Sequence, residues 1–557
     1  AYGIFCALGG AAGGLALVGL GRIMKREAVP EPQAYGQMTA LMVAAMAFAL
    51  GVFRIRRDVF HEELVLKSKE GLMVLGGAAL AAGLLYFSLA LVLRLWTQHK
   101  VGAFMLRAWG SPAFVAVVVT AVGGSALLFG QPAEAERGAS RPPAPAGAPN
   151  VLFIVVDTLR ADHLPAYGYE RGATPNLDRF AEDAVRYDQA FANASWTRPS
   201  FASILTGRYA SSHGVMGKPD ALPDALVTLP EALAQGGYAT AGWVTNFNVG
   251  PYFNFQQGFE RYRFLEPEFV LGADDAAAKL LLVQALRKAI EKVRALRGSV
   301  EPGTAYQDAE TVNRHVTRWL ERDAPTDAPF FAFVGYMDPH DPYFPHPYDG
   351  TGYARAAHPS PALEEADELR ALYDGEITYW DEHFGALMDE LRRRGLYDDM
   401  LIVVTSDHGE EFGEHGGFWH GTTLYDEQVR VPLFVKLPGN ARAGTHVSHW
   451  VQSVDLMPTI LARLGLDVPE GVQGGSLDEG TTRVYAEESH EGNVLESVRE
   501  LRNFEELKLI TANPGNPRGL RPVELYRVAD DPGEQHDRAD AEREQARALP
   551  EVLDEAR

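Results

Sequence analysis

The sequence predicts a transmembrane α-helical bundle followed by a layered α/β domain. Four apolar stretches approach or exceed the ~20 residues that a helix needs to cross a bilayer, at approximately 2–21, 37–53, 71–93 and 112–130. Beyond residue 149, short runs of β-branched and aromatic residues alternate with helical periodicity, which is typical of an α/β domain. The two patterns do not overlap, so they predict two separate structural units.

Residues 1–130 form the predicted bundle, with about four spans. The alternative is a set of buried core helices in a soluble domain, but four runs with almost no internal charge are hard to bury otherwise. The flanking basic residues divide six against seven between the two sides, so the positive-inside rule does not orient the bundle.

Residues 131–149 form the predicted linker, with the sequence QPAEAERGASRPPAPAGAP. Five prolines among Ala, Gly and Ser cannot build a core, and they favour extended backbone. We therefore expect an extended tether with few contacts between the bundle and the globular domain.

Charge also separates the two units. Residues 1–149 carry 13 Lys and Arg against 8 Asp and Glu; the whole chain carries −23, so residues 150–557 carry −28. Such an acidic domain repels nucleic acid, which is therefore not an expected partner, but it offers carboxylates for metal ions. Cys6 is the single cysteine, so an internal disulfide and a cysteine metal site are both excluded.

Three apolar runs in the α/β domain predict strands buried on both faces of a sheet. Each run leads into a polar cluster: Val151–Val156 into Asp157, Phe330–Val334 into Asp338-Pro339-His340, and Leu401–Thr405 into Asp407-His408. Helices are predicted between them, at Asp308–Leu320 and Glu364–Arg394. A functional site is expected where the carboxyl ends of these strands meet.

Asp157, Asp407 and His408 are the predicted ligands of a divalent cation: zinc, manganese or calcium. A single aspartate at a strand end is more often a helix cap, but joint placement at strand ends favours a metal site.

Six ordered motifs resemble the successive signatures of the sulfatase family. They are NVLFIVVDTLRADHL, SWTRPSFASILTGRYASSHGV, MDPHDPY, SDHGEEFGEHG, HGTTLYDEQVRVPLFVKLPG and ELYRVADDPGEQHD. The resemblance implies an alkaline-phosphatase-like α/β/α sandwich over residues 150–443, with a smaller C-terminal subdomain and tail over 444–557. It also implies an enzyme that hydrolyses or transfers phosphate or sulfate esters.

The nucleophile segment departs from the sulfatase pattern. Sulfatases have C/S-x-P-x-R, in which the Cys or Ser is oxidised to formylglycine; here the segment is Thr197-Arg198-Pro199-Ser200-Phe201. Threonine is not a substrate for that oxidation, and Phe201 replaces the accompanying arginine. The usual Asp pair is reduced to Asp157-Thr158, and GWVTN (242–246) stands in place of G-K-W-H.

These departures make Thr197 the predicted nucleophile and a fourth metal ligand. In this respect the chain resembles lipoteichoic acid synthases and phosphoethanolamine transferases, which use threonine and carry an extracytoplasmic domain on a helical bundle. The alternative for Thr197 is a helix N-cap, because Thr before Pro-Ser is common at a helix start.

The resemblance implies an integral protein of a bacterial inner or cell membrane with a periplasmic or otherwise extracytoplasmic catalytic domain. The expected function is a metal-dependent phosphotransferase or phosphodiesterase that acts on a lipid or glycan ester of the envelope. Two alternatives stay open: a sulfuric ester hydrolase without formylglycine, and a non-catalytic subunit of a larger membrane complex.

Four residues are predicted to bind substrate: His340, His420, Arg160 and Arg198. His340 matches a histidine that sulfatases aim at the ester, and His420 falls where they often have an anion-binding lysine. Asp338, His340 and His420 are alternatively the ligands of a second metal, and each arginine alternatively forms a surface salt bridge. His415 is expected to be structural.

Residues 274–297 predict a basic amphipathic helix, with Lys and Arg interleaved among apolar positions. Such a helix either lies on anionic lipid headgroups or packs on the domain surface.

Overall fold

The computed structural model describes scattered positions between 37 and 52, residues 69–98, 141–267, 303, 305–502 and 505–546. These residues belong to two compact units, one within 1–137 and 269–292 and the other within 138–268 and 293–557. The predicted amphipathic helix at 274–297 lies outside the described residues.

The first unit contains helix α1, Lys69–Thr97. Within it, the 24 residues Met73–Trp96 are long and apolar enough to cross a membrane. The predicted spans at 2–21 and 112–130 lie outside the described residues, and that at 37–53 is described only at scattered positions. The four-span bundle therefore stays a prediction.

The second unit alternates strands and helices along the chain. Its strands are β1 (Val151–Val156), β2 (Val185–Phe191), β3 (Ala239–Val244), β4 (Arg261–Phe264), β5 (Phe330–Tyr336), β6 (Leu401–Ser406), β7 (Glu411–Phe412), β8 (Phe418–Trp419), β9 (Arg430–Lys436), β10 (His446–Gln452), β11 (Arg483–His490), β12 (Asn493–Arg502), β13 (Glu505–Ala512) and β14 (Val523–Arg527).

Its helices are α2 (Pro175–Asp183), α3 (Thr197–Thr206), α4 (Ala210–His213), α5 (Leu229–Gln235), α6 (Ala309–Arg322), α7 (Ala366–Arg393), α8 (Asp426–Val429) and α9 (Leu456–Arg463). Asp308 caps α6 by accepting a hydrogen bond from the N–H of Thr311. The three predicted strands and two predicted helices are confirmed to within three residues at each end.

An eight-stranded mixed sheet forms the centre of this unit, in the order β10-β2-β9-β6-β1-β5-β3-β4. Successive residues of β1 face opposite sides, so Val151, Phe153 and Val155 belong to one hydrophobic core and the residues between them belong to another. The first core includes side chains of α3, α5 and α9, and the second those of α2, α6 and α7. The predicted α/β/α sandwich is therefore present.

The C-terminal subdomain begins later than predicted. Strand β10, after the predicted boundary at 444, pairs in parallel with β2 in the large sheet, and α9 packs in the first core. Residues 444–466 thus complete the large sheet layer. The separate four-stranded antiparallel sheet contains β11, β12, β13 and β14.

Part of the predicted linker contacts the domain. The guanidinium of Arg141 forms two hydrogen bonds of 2.6 Å with the carboxylate of Glu260, and the carbonyl of Pro149 accepts one from the hydroxyl of Tyr238. The expectation of few contacts is therefore wrong for residues 141–149, and residues 131–140 lie outside the described part of the chain.

Candidate metal and active site

Parallel pairing brings the predicted polar clusters to one edge of the sheet. Strand β1 pairs in parallel with both β5 and β6, and Val156 is in register with Tyr336 and Ser406. Asp157 and Asp407 follow directly after two of these paired positions, so their carboxylates meet at the carboxyl edge of the sheet.

The predicted ligands Asp157, Asp407 and His408 form one buried cluster, with their ligand atoms within 4.8 Å of one another. Nε2 of His408 lies 3.3 Å from Oδ2 of Asp407 and 3.7 Å from Oδ1 of Asp157. Both of these carboxylate oxygens are buried and have no hydrogen-bond partner among the described residues.

The hydrogen bond made by Nδ1 of His408 determines the tautomer of the ring. Nδ1 lies 2.9 Å from the carbonyl of Gly409, which can only accept, so Nδ1 carries the proton and Nε2 presents a lone pair. That lone pair and the two unpartnered carboxylate oxygens converge, which is unfavourable without a positive charge among them. Two carboxylates and an imidazole held by a backbone carbonyl fit a divalent cation.

The protonation equilibria of these groups reflect the same crowding. Burial, together with the charge of Asp407, raises the pKa of Asp157 to about 6. Burial raises the pKa of Asp407 to about 7 and lowers that of His408 to about 4. Each group is thus shifted toward its neutral form, as expected where compensating positive charge is scarce.

The backbone beside Asp157 is strained. Thr158 has φ 58°, in the left-handed region that a β-branched residue rarely adopts. In that conformation its N–H donates to Oδ1 of Asp407 at 3.3 Å, and the N–H of Leu159 donates to Ser406. The strain therefore accompanies contacts that position Asp407.

Thr197 is the first residue of α3, and its hydroxyl faces the cluster. Oγ1 lies 3.5 Å from Nε2 of His408 and accepts a 3.3 Å hydrogen bond from Nδ2 of Asn246. Trp196 occupies the N-cap position, so the alternative role of Thr197 as helix N-cap is wrong. The Thr197 hydroxyl contacts His408 and Asn246 and does not cap the backbone N–H groups of its helix.

Asn246 is a site residue that the sequence analysis did not identify. Its amide donates to Oδ2 of Asp157 at 2.6 Å as well as to Thr197, so it joins the candidate nucleophile to a candidate ligand. A signal existed: Ala239–Val244 is a buried apolar run that ends just before Thr245-Asn246. It is the same pattern of strand and polar cluster that marked Asp157.

Both predicted substrate histidines lie beside the cluster of candidate metal ligands. The ring centroid of His420 is 4.5 Å from that of His408 and 4.9 Å from that of His340. Burial disfavours the charged form of His340, but the carboxylates of Asp157 and Asp341 outweigh that effect and raise its pKa to about 8.

Glu410 orients His420 and was not identified from the sequence. Its Oε1 lies 2.9 Å from Nδ1 of His420, and its Oε2 accepts a 2.9 Å hydrogen bond from the hydroxyl of Tyr343. This pairing leaves Nε2 of His420 available to a substrate oxygen.

Arg160 has a structural role instead of the predicted substrate contact. Its guanidinium pairs with Asp162 and Glu414 and donates to the carbonyl of Glu410 at 2.8 Å. All three of its nitrogens therefore have acceptors, and the side chain is buried.

Arg198 is likewise committed to the protein interior. Its guanidinium donates to the carbonyls of Gly217, Lys218 and Asp220 and to the side chain of Asn248. It fixes the loop at 217–220 rather than forming the predicted substrate contact.

The predicted second metal site is not assembled. Burial, then the carboxylates of Glu376 and Asp308, raise the pKa of Asp338 well above its usual range, so a second cation is not needed to account for its charge. Within the described part of the chain, three ligand atoms converge within 4.8 Å only in the cluster described above.

His415 lies away from the cluster, in accordance with the expected structural role. It pairs with Glu427 at 2.7 Å and stacks on Tyr425 with ring centroids 3.6 Å apart.

This fold and this arrangement of residues define an α/β/α domain with a candidate divalent-cation site at the carboxyl edge of its central sheet. Among solved structures, it is similar to the phosphonate monoester hydrolase of Agrobacterium radiobacter, with a TM-score of 0.57 and 22% identity over 73% of this chain and 94% of that one. The sulfatase family profile matches residues 149–466, more than half of the chain. The chain therefore belongs to the sulfatase family, whose members are metal-dependent enzymes.

Two curated relatives show the range of the similarity. The ulvan-active sulfatase of Formosa agariphila is 27% identical over 353 residues, which is 59% of this chain and 64% of that protein, so the chain spans less than two thirds of it. The multifunctional alkaline phosphatase superfamily protein PehA of Trinickia caryophylli is 28% identical over 395 residues, 59% of this chain and 76% of that protein.

Proposed function

We propose that the chain is a membrane-anchored, metal-dependent phosphotransferase or phosphodiesterase that acts on an ester of the bacterial envelope through Thr197. The observation that carries this proposal is the environment of the Thr197 hydroxyl. It is buried, lies 3.5 Å from Nε2 of His408, and is bound by Asn246 instead of capping its helix.

Asp157, Asp407 and His408 would hold the cation, with Thr197 beside them. When bound, a divalent cation lowers the pKa of a hydroxyl and offsets negative charge on the reacting phosphoryl oxygens. The amide of Asn246 orients Oγ1 of Thr197, and the N-terminal N–H groups of the ten-residue helix α3 favour an anion at the same place.

The reaction proceeds in two displacements. Oγ1 of Thr197 forms a bond to phosphorus, and the bond from phosphorus to the leaving alcohol breaks, with a proton passing to that alcohol. Water or an acceptor alcohol then forms a bond to phosphorus and loses a proton, and the bond from phosphorus to Oγ1 of Thr197 breaks as that oxygen regains a proton. His340 and His420 lie beside the cluster, where their Nε2 atoms can contact substrate oxygens.

The surroundings of Phe201 support a threonine nucleophile over formylglycine. Phe201 is 1% exposed and packs edge-to-face on Phe333, with ring centroids 6.1 Å apart. Where sulfatases carry an arginine beside the modified residue, this chain has a core side chain.

Membrane anchoring is supported by Met73–Trp96, which is long and apolar enough to span a bilayer. An anchored domain meets substrates at the membrane surface, which favours a lipid or glycan ester of the envelope. The extracytoplasmic location of the site rests on the resemblance to the threonine-using enzymes.

The second candidate function is hydrolysis of a sulfate ester without formylglycine. The names of the relatives favour it, since they include an ulvan-active sulfatase and an arylsulfatase from Clostridium perfringens. A non-catalytic subunit is the third candidate, and the convergence of Asp157, Asp407 and His408 in one buried cluster argues against it.

Paired assays with a phosphodiester and a sulfate monoester separate these candidates. We expect phosphodiester turnover by the wild type, none by Thr197→Ala, and part of it by Thr197→Ser, which keeps the hydroxyl. Thr197→Cys should gain no sulfatase activity. Thr206→Ala is the matched control, because Thr206 is a buried threonine of the same helix whose hydroxyl donates to the carbonyl of Ala202.

Two further measurements complete the test. Mass spectrometry of enzyme that is quenched with acid during turnover should detect phosphate on Thr197. Elemental analysis should find metal in both wild type and Thr197→Ala. If Thr197→Ala is as active as wild type, the proposal is refuted, and the attacking group is a water instead.

A further inference from the structure

Two cations and one carboxylate form a cluster at the rim of the site. Oε1 of Glu491 lies 3.1 Å from Nζ of Lys218, and its Oε2 lies 3.2 Å from Nη2 of Arg355. The side chains are 41%, 33% and 26% exposed, respectively, so solvent and a ligand can reach them. The three residues come from separate segments, which the ion pairs join.

The segments of both cations are fixed to residues beside candidate site groups. The carbonyl of Lys218 accepts a hydrogen bond from Arg198, the residue after the candidate nucleophile. The backbone N–H of Arg355 donates at 3.2 Å to the carboxylate of Asp341, the residue after His340. The backbones of both cationic residues are therefore fixed to segments that carry candidate site groups.

The segment of the carboxylate packs against the same site. Glu491 lies in the turn between β11 and β12, and the ring of His490, which precedes it, contacts that of Trp196 in a tilted arrangement with centroids 4.5 Å apart. A Cβ added to Gly421, the residue after His420, would lie 3.0 Å from Cδ2 of His490. The turn thus contacts the segments on both sides of the candidate site.

The backbone of this turn is strained at Glu491. Glu491 has φ 51° and Gly492 has φ 83°, so this is a two-residue hairpin turn with positive φ at both central positions. Such turns favour Asn-Gly, and glutamate at the first position costs stability. Strain of this kind at the edge of a site is a reason to look for a function of the side chain.

We propose that Lys218 and Arg355 recognise a second anionic group of the substrate, and that Glu491 occupies their binding place until that group arrives. Lys218 and Arg355 both pair with the one carboxylate of Glu491, and they are partly exposed cations on a domain of net charge −28. The substrate class is an ester that carries a further carboxylate, phosphate or sulfate beyond the reacting group. This inference rests on the proposed function, because the reacting group is the ester attacked by Thr197.

The test uses two p-nitrophenyl phosphodiesters whose second arm ends in a carboxylate or in the isosteric amide, at several arm lengths. KM and kcat are measured for wild type, Lys218→Met, Arg355→Met and Glu491→Asn. Asparagine at 491 removes the competing carboxylate and suits the turn. Arg442→Met is the matched control, since Arg442 forms an exposed ion pair with Asp478 at 2.6 Å on the domain surface.

At the best arm length, wild type should prefer the carboxylate probe by about five- to ten-fold in KM, the effect of one partly exposed ion pair or slightly more. Each Met variant at the rim should lose this preference, Glu491→Asn should increase it, and Arg442→Met should leave it unchanged. Equal KM values for the two probes in wild type, or an intact preference in both rim Met variants, would overturn the inference.

Calorimetric binding of both probes to Thr197→Ala separates this inference from the proposed function. If neither probe is turned over, the proposed function fails, yet the carboxylate probe should still bind more tightly than the amide. If both probes are turned over and bind equally, only the second-anion inference fails.

Discussion

Replacing Asn246 by alanine should separate the positioning of the candidate nucleophile from the stability of the domain. The change removes buried hydrogen bonds of 2.6 Å to Asp157 and 3.3 Å to Thr197, and also the 2.8 Å bond that Oδ1 accepts from the N–H of Asn248. Loss of a hydrogen bond to a charged group should lower the free energy of unfolding by about 1.5–3 kcal/mol. Loss of an outer contact to a metal ligand should lower kcat/KM and metal affinity by roughly 10- to 100-fold.

Asn176→Ala is the matched control for that prediction. The amide of Asn176 donates at 2.9 Å to the buried carboxylate of Asp381, where α2 packs on α7, so the same chemistry is lost outside the site. Urea titration should show destabilisation of both variants, and steady-state kinetics should show a loss only in Asn246→Ala. Equal kcat/KM and metal affinity in both variants would refute a positioning role for Asn246.

Three other predictions follow from single contacts. The hydrogen bond and charge of Glu427 outweigh burial and raise the pKa of His415 from 6.5 to about 9. The ion pair of His415 with Glu427 therefore stabilises the fold fully below pH 6.5, and this stabilisation is lost as the pH rises through about 9. After allowance for solvent screening, we expect the free energy of unfolding to fall by about 2 kcal/mol over this range. Unfolding titrations should show this fall in wild type and not in His415→Gln. Asp407→Asn should lower metal affinity by at least roughly 100-fold in competition with a chelator, and unchanged metal content would contradict its role as a ligand. In Gly474→Ala the new Cβ would lie 1.9 Å from the carbonyl oxygen of Val454, so the free energy of unfolding should fall by about 1–3 kcal/mol; unchanged stability would show that the backbone relaxes freely.

Local sequence pattern was enough to predict the frame of the site. The apolar run Val151–Val156 is short and rich in β-branched residues, which favours a doubly buried strand, and it is in register with two further strands that end in polar clusters. The ends of neighbouring parallel strands must meet, so Asp157 and Asp407 could be placed together without knowledge of the loops.

Contacts between distant segments could not be predicted in this way. Arg160 and Arg198 follow motif residues closely, but the acceptors of Arg160 at Glu410 and Glu414 lie about 250 residues further along the chain. A sequence shows that a cation is present and does not show which acceptors surround it. Asn246 was missed for a related reason, because an amide becomes recognisable as a site group only through its partners.

The C-terminal boundary was misplaced because order along the chain differs from order in the sheet. β10 comes after a loop and looks like the start of a new unit, but it adds to β2, more than 250 residues earlier in the sequence. Nothing in the heptapeptide HVSHWVQ itself specifies that partner.

The alternation of β1 between two cores also constrains how the enzyme can move during turnover. Because neighbouring residues of β1 are packed into opposite helical layers, neither layer can slide over the sheet without carrying Asp157 with it. Hinge or shear motion through the centre of the domain would therefore disturb the ligand cluster in every cycle. Substrate entry and product release must then depend on the peripheral loops, and amide exchange should be slow in β1 and fast at the rim throughout catalysis.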